Sequence, residues 1–214
     1  MDVTFRWATE KDAGAILGLV RELAEFEKEL DKVKTTEADF ARDLSLGHFV
    51  CVLAVVNERD TKDQEAVGME AVGMALLHNR YSTWDGLCVH LEDLYVKPEH
   101  RSAGVGKRLI ECCVKHARET GSRRLCWEVL DWNTKAISFY DRLGAQIKTS
   151  WRCVRLEGDA LRDFEFNIVL AREKKKERSS VRRSARLVSG RIIRLSRVVS
   201  PWPAQARGQR AAGL

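Results

Sequence analysis

The chain has 214 residues, 44% of them hydrophobic, which is enough to bury the core of one domain. Of its 37 basic and 31 acidic residues, thirteen basic and two acidic ones follow Ala171, so residues 1–171 carry a net charge of −5 and the tail +11. An acidic body attracts cations and repels nucleic acid. The first residues lack the pattern of a signal peptide, and the longest apolar stretch, Phe49–Val56, is too short for a membrane span. We therefore expect a cytoplasmic protein.

The sequence of the first half of the chain predicts two strands and two helices. In order, these are a strand at Val3–Ala8, a helix at Ala13–Leu30, a helix at Thr36–Leu46 and a strand at Phe49–Val56. Thr9 and Asp12 occupy the positions of a capping box before the first helix. Residues 57–65 are polar and charged, which predicts a loop.

A tandem copy of five residues, EAVGMEAVGM, occupies residues 65–74. One copy is expected to begin a strand that continues through Ala75–His78. The other copy is interpreted as a local duplication without a function of its own, which lengthens the preceding loop.

The second half predicts two more strands and two helices before a final strand region. In order, these are a strand at Cys88–Val96, a helix at Gly104–Glu119, a strand at Arg124–Leu130, a helix from Asn133 or Thr134 to Leu143, and a strand region at Ala145–Leu156. The whole order predicts a mixed α/β domain around one central sheet.

The cysteines and histidines show no metal-binding pattern. The six cysteines form no CxxC pair, and we expect reduced, mostly buried thiols and no metal. They are Cys51, Cys88, Cys112, Cys113, Cys126 and Cys153. The five histidines share no spacing and are treated as structural; they are His48, His78, His90, His100 and His116.

The motif RSAGVG, residues 101–106, lies between a predicted strand and an amphipathic helix. Glycine lets the backbone approach a ligand closely, and a helix start presents free N–H groups with the positive end of the helix dipole. Such a turn can cradle a pyrophosphate, with Arg101 adding charge. The alternative is that the two glycines only end a strand.

The residue chemistry near this motif suits transfer of an acyl group to an amine. A lysine-like amine has a pKa of roughly 10.4, so it arrives protonated and needs acidic groups to bind it and to take its proton. Glu92 and Asp93 supply carboxylates, although adjacent strand residues are expected to face opposite sides. The Tyr140 phenol is a suitable acid for a leaving thiolate. The alternatives are a solvated strand edge for Glu92 and Asp93 and a core aromatic for Tyr140.

The segments LEDLYVKPEHRSAGVGKRLIE and VLDWNTKAISFYDRLGAQ together resemble the GNAT superfamily of acetyl-CoA-dependent N-acetyltransferases. YSTW, HLEDLYV, VLDWN and FYDRLGA are most similar to its diamine acetyltransferase branch, which includes the spermidine/spermine and thialysine enzymes. The resemblance covers residues 3–166 and implies the family fold, a central, mostly antiparallel, splayed sheet flanked by helices. It also implies acetyl-CoA as cosubstrate, no metal, and a homodimer.

The resemblance implies a role for each matching residue. The coenzyme would contact Leu94, Tyr95 and Val96 through its pantetheine arm, Arg101, Ser102, Ala103, Gly104, Val105, Gly106 and Lys107 through its pyrophosphate, and Asn133, Thr134, Lys135 and Ala136 elsewhere. Tyr140 would be the general acid, and Glu92 the base through a water molecule. Phe26 and Glu27 would contact substrate across the dimer interface, beside Glu92 and Asp93. Trp84 and Trp132 would line the amine's methylenes, or only pack.

Sequence differences from the diamine acetyltransferase branch narrow the range of expected substrates. The polyamine enzyme carries acidic residues near the Trp of its YDPW segment and before the Trp of the final strand, where this chain has Ser82 and the run Lys148-Thr149-Ser150. Fewer carboxylates attract a second or third ammonium group less strongly. The expected substrates are thialysine, an ornithine- or lysine-like diamino acid, a diamine or a polyamine, with a small amine or diamino acid preferred over spermine. Peptide lysine acetylation and a CoA-binding module without turnover are the alternatives.

Composition divides the chain into an acetyltransferase domain at residues 1–170 and a basic tail at residues 171–214, which is expected to be disordered. The tail either contacts nucleic acid or an anionic membrane, or has no function.

Overall fold

The computed structural model describes residues 2–59 and 66–164. They form two compact units, residues 2–134 and residues 135–164, and each is described by itself. The predicted basic tail and the boundary near residue 170 lie outside the described residues. In the part of the chain that is described, no helix has the length and apolar character needed to cross a membrane.

The first unit contains a five-stranded mixed sheet. Its strands are β1 (Val3–Trp7), β2 (Val50–Arg59), β3 (Ala66–Ser82), β4 (Gly86–Val96) and β5 (Leu125–Cys126). They lie in chain order, with β1 to β4 antiparallel and β5 parallel to β4. This arrangement confirms the predicted α/β fold with a mostly antiparallel sheet.

Helices cover both faces of this sheet. They are α1 (Ala13–Phe26), α2 (Glu37–Ser45) and α3 (Val105–Glu119), while α4 (Thr134–Arg142) and α5 (Gly158–Arg162) follow. The apolar stripes of α1 and α2 pack on one face through Ile16, Leu19 and Phe40 against alternate strand residues such as Leu53 and Met74. We call this the α1 face.

The α3 helix packs on the opposite face. The Trp7 ring lies 5.2 Å from that of His116, and the Arg108 guanidinium 5.9 Å from the centre of the Phe5 ring. Phe5 and Trp7 pair with Ala54 and Val52, which alternate with the β2 residues of the α1 face.

Two features flank the first helix. The predicted capping box is present in the 3-10 turn Glu10–Asp12 that leads into α1, where the Thr9 backbone N–H donates to Asp12 Oδ2 (2.8 Å) and Asp12 also pairs with Arg6 at 2.7 Å. The helix ends at Phe26, four residues before the predicted Leu30, because Lys28 adopts a left-handed conformation with φ of 63°.

Both copies of the EAVGM repeat lie in β3 from Ala66 onward, so the interpretation of one copy as loop slack is wrong. On β3, the register with β2 skips Val67 in the first copy and Val72 in the second. The backbone register with β2 therefore shifts at the same position of each copy.

The last two predicted strands are corrected. β5 covers only Leu125–Cys126 of the predicted Arg124–Leu130, and residues 145–156 form no strand. In that segment Val154 is 90% exposed and Trp151 73% exposed. Strand propensity alone does not make a strand, since a strand needs a pairing partner and a surface on which to pack.

Candidate active site

A β-bulge at Glu92 shapes the candidate site. Leu76 pairs with Asp93 and Leu77 with Leu91, so Glu92 is the extra residue of β4. Leu76 belongs to the core of the α1 face, which places Asp93 on that face. Glu92 lies there too, because its carboxylate contacts His78, the residue two after Leu76 on β3. The expectation that Glu92 and Asp93 face opposite sides is therefore wrong, since the bulge interrupts the alternation.

Three carboxylates come together beside this bulge. Burial, together with the smaller effect of the negative charges of Glu92 and Glu27, raises the pKa of Asp93 to about 6. Burial also raises the pKa of Glu27, with a smaller contribution from Glu29. Glu27 lies at the end of α1, so helix and strand together build an acidic patch within one chain. Such a patch attracts a cation.

Two histidines adjoin the same carboxylate. His78 Nε2 lies 3.1 Å and His90 Nε2 3.6 Å from Glu92 Oε2. His78 and His90 are cross-strand partners, and their ring centres are 4.9 Å apart. The sequence interpretation of both residues as only structural missed this cluster. The sequence signal that could have revealed this cluster is the predicted pairing of the two strands. In a hairpin whose turn is centred on Trp84, residues that lie equally far from Trp84 along the chain are paired, as His78 and His90 are.

An aromatic and cationic cluster lies at the end of α1. The half-exposed rings of Phe26 and Trp132 are 5.7 Å apart. The Arg101 guanidinium lies 5.7 Å from the centre of the Phe26 ring and 5.5 Å from that of Tyr95, and its Nε–H donates to the Val96 carbonyl (2.7 Å). These contacts place Phe26, predicted to meet substrate, beside Arg101, predicted to meet coenzyme.

Trp84 occupies the turn between β3 and β4 and is 82% exposed. About 20 Å of extended strand separates Gly86, which follows this turn, from Glu92. The structure therefore does not bring Trp84 together with the carboxylates of its own chain.

The edge of β4 beyond His90 is open among the described residues. β5 pairs with β4 only at Val89 and His90, so no strand pairs with that side of Leu91–Val96. This segment contains Leu94, Tyr95 and Val96, the residues predicted to meet the pantetheine arm. An open strand edge presents backbone N–H and C=O groups that can pair with an extended ligand.

The turn before α3 has the conformation of a ligand cradle. Ser102 has φ of 65° and Gly104, the N-cap of α3, has φ of 82°. A Cβ on Gly104 would meet no atom within 4 Å, so the glycine is needed for its conformation and not for internal packing. The first N–H groups of the helix, which belong to Val105, Gly106 and Lys107, have no acceptor within the helix.

The remaining predicted residues lie around the start of α4. Asn133 and Thr134 end the first unit, and Lys135 and Ala136 belong to the first turn of α4 in the second unit. Tyr140 is buried on the same helix, and its ring centre lies 5.3 Å from that of Phe139.

Comparison with known proteins gives concordant matches. Residues 16–145 match the sequence profile of the Acetyltransferase (GNAT) family. A thialysine N-epsilon-acetyltransferase of Bos taurus is 42% identical over 165 residues, covering 76% of this chain and 96% of that protein. An L-ornithine N5-acetyltransferase of Arabidopsis thaliana is 42% identical over 76 residues, covering 36% of this chain and 33% of that protein. An aminoglycoside N-acetyltransferase solved with CoA shares the fold, with TM-score 0.54, 19% identity and coverage of 73% and 95%.

Proposed function

The chain belongs to the acetyltransferase (GNAT) family, and from this premise we propose that it transfers the acetyl group of acetyl-CoA to the primary amine of a small cationic metabolite. Family membership confirms the resemblance inferred from the sequence. The observation that carries the proposal is the bulge at Glu92, which sets two carboxylates on one face beside the open edge of β4.

Among the described residues, acetyl-CoA fits the edge of β4 that no strand pairs with and the first turn of α3. The backbone of Leu94–Val96 would pair with the pantetheine arm, and the turn at Ser102–Gly104 with the first N–H groups of α3 would hold the pyrophosphate. Asn133–Ala136 would add contacts at the start of α4. When bound, acetyl-CoA supplies a thioester whose carbonyl carbon accepts the amine.

The acidic patch would receive the amine. Glu27, Glu92 and Asp93 would hold the ammonium group, and Phe26 and Trp132 would pack on its methylenes. Glu92 would take a proton through a water molecule, which frees the lone pair of the nitrogen for attack. As the N–C bond forms and the C–S bond breaks, Tyr140 would give its proton to the leaving thiolate. The second proton that the nitrogen loses would pass through solvent to the Tyr140 phenolate and restore the phenol. Attack occurs directly in the complex of both substrates, so positioning contributes most of the rate.

The substrate class follows from the acidic residues and the relatives together. Ser82 and Lys148–Ser150 provide no carboxylate for a second or third ammonium group. The relatives named above act, by their names, on thialysine and on ornithine. We therefore rank thialysine and ornithine- or lysine-like diamino acids above putrescine and spermidine. A homodimer and a cytoplasmic location remain part of the proposal. In it, Phe26 and Glu27 contact the substrate that their own chain holds, and not the substrate of the partner subunit.

A thiol-release assay on the purified full-length chain tests this ranking. Thialysine, ornithine, putrescine and spermidine are compared at equal concentration with acetyl-CoA, and mass spectrometry identifies the acetylated products. A strong preference for spermidine would refute the ranking. Acetylation of peptides in a mixed pool of amines and peptides would favour a protein acetyltransferase, and binding of acetyl-CoA without thiol release would favour a non-catalytic module.

A further inference from the structure

Three Lewis-basic atoms converge next to the acidic patch. They are His78 Nε2, His90 Nε2 and Glu92 Oε2, and all three lie within 4.8 Å of one another. The hairpin holds them in place, because His78 and His90 pair across β3 and β4 and the bulge turns Glu92 toward them. Convergence of two imidazoles and one carboxylate is the donor set of many zinc sites.

A hydrogen bond on the far side of His78 directs a lone pair of its Nε2 toward Glu92. His78 Nδ1 lies 3.2 Å from the backbone oxygen of Asn79, and a carbonyl oxygen only accepts, so Nδ1 is the donor of this contact. Nε2 faces Glu92 Oε2 at 3.1 Å, so a metal ion at this position would accept one lone pair from the imidazole and one from the carboxylate.

The two distances to Glu92 suit a metal ion. Ligand atoms about 2.0–2.2 Å from a tetrahedral zinc ion lie roughly 3.3–3.6 Å from one another. The two contacts to Glu92, at 3.1 Å and 3.6 Å, are close to this range.

The outer nitrogen of each imidazole also has a supporting contact. For His78 this is the Asn79 carbonyl, and for His90 it is Cys126 Sγ, 3.6 Å from Nδ1. Outer contacts of this kind orient the histidine ligands of metal sites. Glu92 is exposed, so an ion can enter from solvent and keep a water molecule as its fourth ligand.

We propose that His78, His90 and Glu92 form a binding site for a divalent transition metal of the zinc class. The same carboxylate is the proton acceptor in the proposed function, and a metal ion bound to Oε2 lowers the basicity of the whole carboxylate. Metal binding therefore inhibits acetyl transfer. This consequence rests on the proposed function, whereas metal binding itself does not.

Titration of the full-length chain with Co²⁺ and Zn²⁺ tests the site without either substrate. The protein is stripped with a chelator and kept in a reductant that contains no thiol, and binding is followed by calorimetry and by the visible absorption of Co²⁺. We expect one ion at this site, and at least a ~10-fold weaker affinity in His78→Gln and in Glu92→Gln. The exposed His48, in the turn after α2, provides the matched control, and His48→Ala should bind as the wild type does.

Equal affinity of the wild type, His78→Gln and Glu92→Gln would overturn the site. So would a sulfur-to-cobalt absorption band that disappears in Cys153→Ser, because the ion would then sit on the exposed thiol. Zn²⁺ should also lower thiol release by the wild type, and His78→Gln should need at least ~10-fold more Zn²⁺ for the same loss. If Zn²⁺ binds at these residues but turnover is unchanged, the metal site is supported and the role of Glu92 as proton acceptor is contradicted.

Discussion

A Cβ atom on Gly73 would lie only 2.9 Å from the backbone oxygen of Tyr95. Gly73 is part of the second EAVGM copy, and it pairs with Val96 at the end of β4 that carries the open edge. The glycine therefore lets β3 and β4 approach closely beside the proposed coenzyme site.

The close approach makes Gly73→Ala destabilising. The backbone oxygen of Tyr95 cannot move aside as a flexible side chain would, so we expect a loss of about 1–3 kcal/mol in the free energy of unfolding. Gly18, within α1, is the control, because a Cβ there meets no atom within 4 Å. Gly18→Ala should gain roughly 0.5–1 kcal/mol from helix propensity. Denaturant unfolding of both variants measures the difference, and equal stabilities would contradict the close approach.

Alanine substitutions at the two glycines that flank α3 distinguish a loss of ligand binding from a cost in backbone strain. Gly104 and Gly121 both have positive φ, 82° and 69°, and a Cβ on either would meet open space. Alanine at each should cost about 1–2 kcal/mol of stability for the left-handed conformation. Only Gly104→Ala should also raise KM for acetyl-CoA, by roughly tenfold, because it alone lies in the proposed pyrophosphate turn. A similar KM in both variants would show that Gly104 serves the backbone only.

Substitutions at Glu92 and Tyr140 test the proposed proton transfers. Glu92→Gln and Tyr140→Phe keep the size of each side chain and should each lower kcat by about 10²–10⁴-fold. Steady-state kinetics with acetyl-CoA and the preferred amine measure the loss, with circular dichroism to confirm folding. As a control, the exposed Glu99→Gln, in the turn after β4, should keep wild-type kcat. Near-normal kcat in Tyr140→Phe would mean that this buried ring only packs.

The ion pair between Arg6 and Asp12 predicts a loss of stability in acid. The hydrogen bonds from Arg6 are the main reason that the pKa of Asp12 falls to about 2, below its ordinary value of about 3.9. The lower pKa in the folded state means that this stabilisation is present above pH ~4 and is lost as the pH falls toward 2, by roughly 1–2 kcal/mol. Asp12→Asn should be less stable at neutral pH and lack this part of the pH dependence. Unfolding curves between pH 2 and 7 would reveal it, and parallel curves for both proteins would contradict it.

Local sequence patterns were sufficient to predict most of the fold. The capping box at Thr9 and Asp12, the apolar stripe of α3 and the strands that pack on both faces depend on periodicities that neighbouring residues set by themselves. The proposed coenzyme turn was likewise visible as a glycine-bearing motif between a strand and a helix. The family resemblance rested on these same segments, and it is confirmed.

Pairing between strands decided the rest. Whether residues 145–156 form a strand, and whether both EAVGM copies do, depends on a partner that lies far away in sequence. The bulge that puts Glu92 and Asp93 on one face, and the register that joins His78 to His90, are also properties of two strands together. A single strand carries only the alternation of its own side chains. The meeting of these carboxylates and imidazoles was therefore settled by the tertiary structure alone.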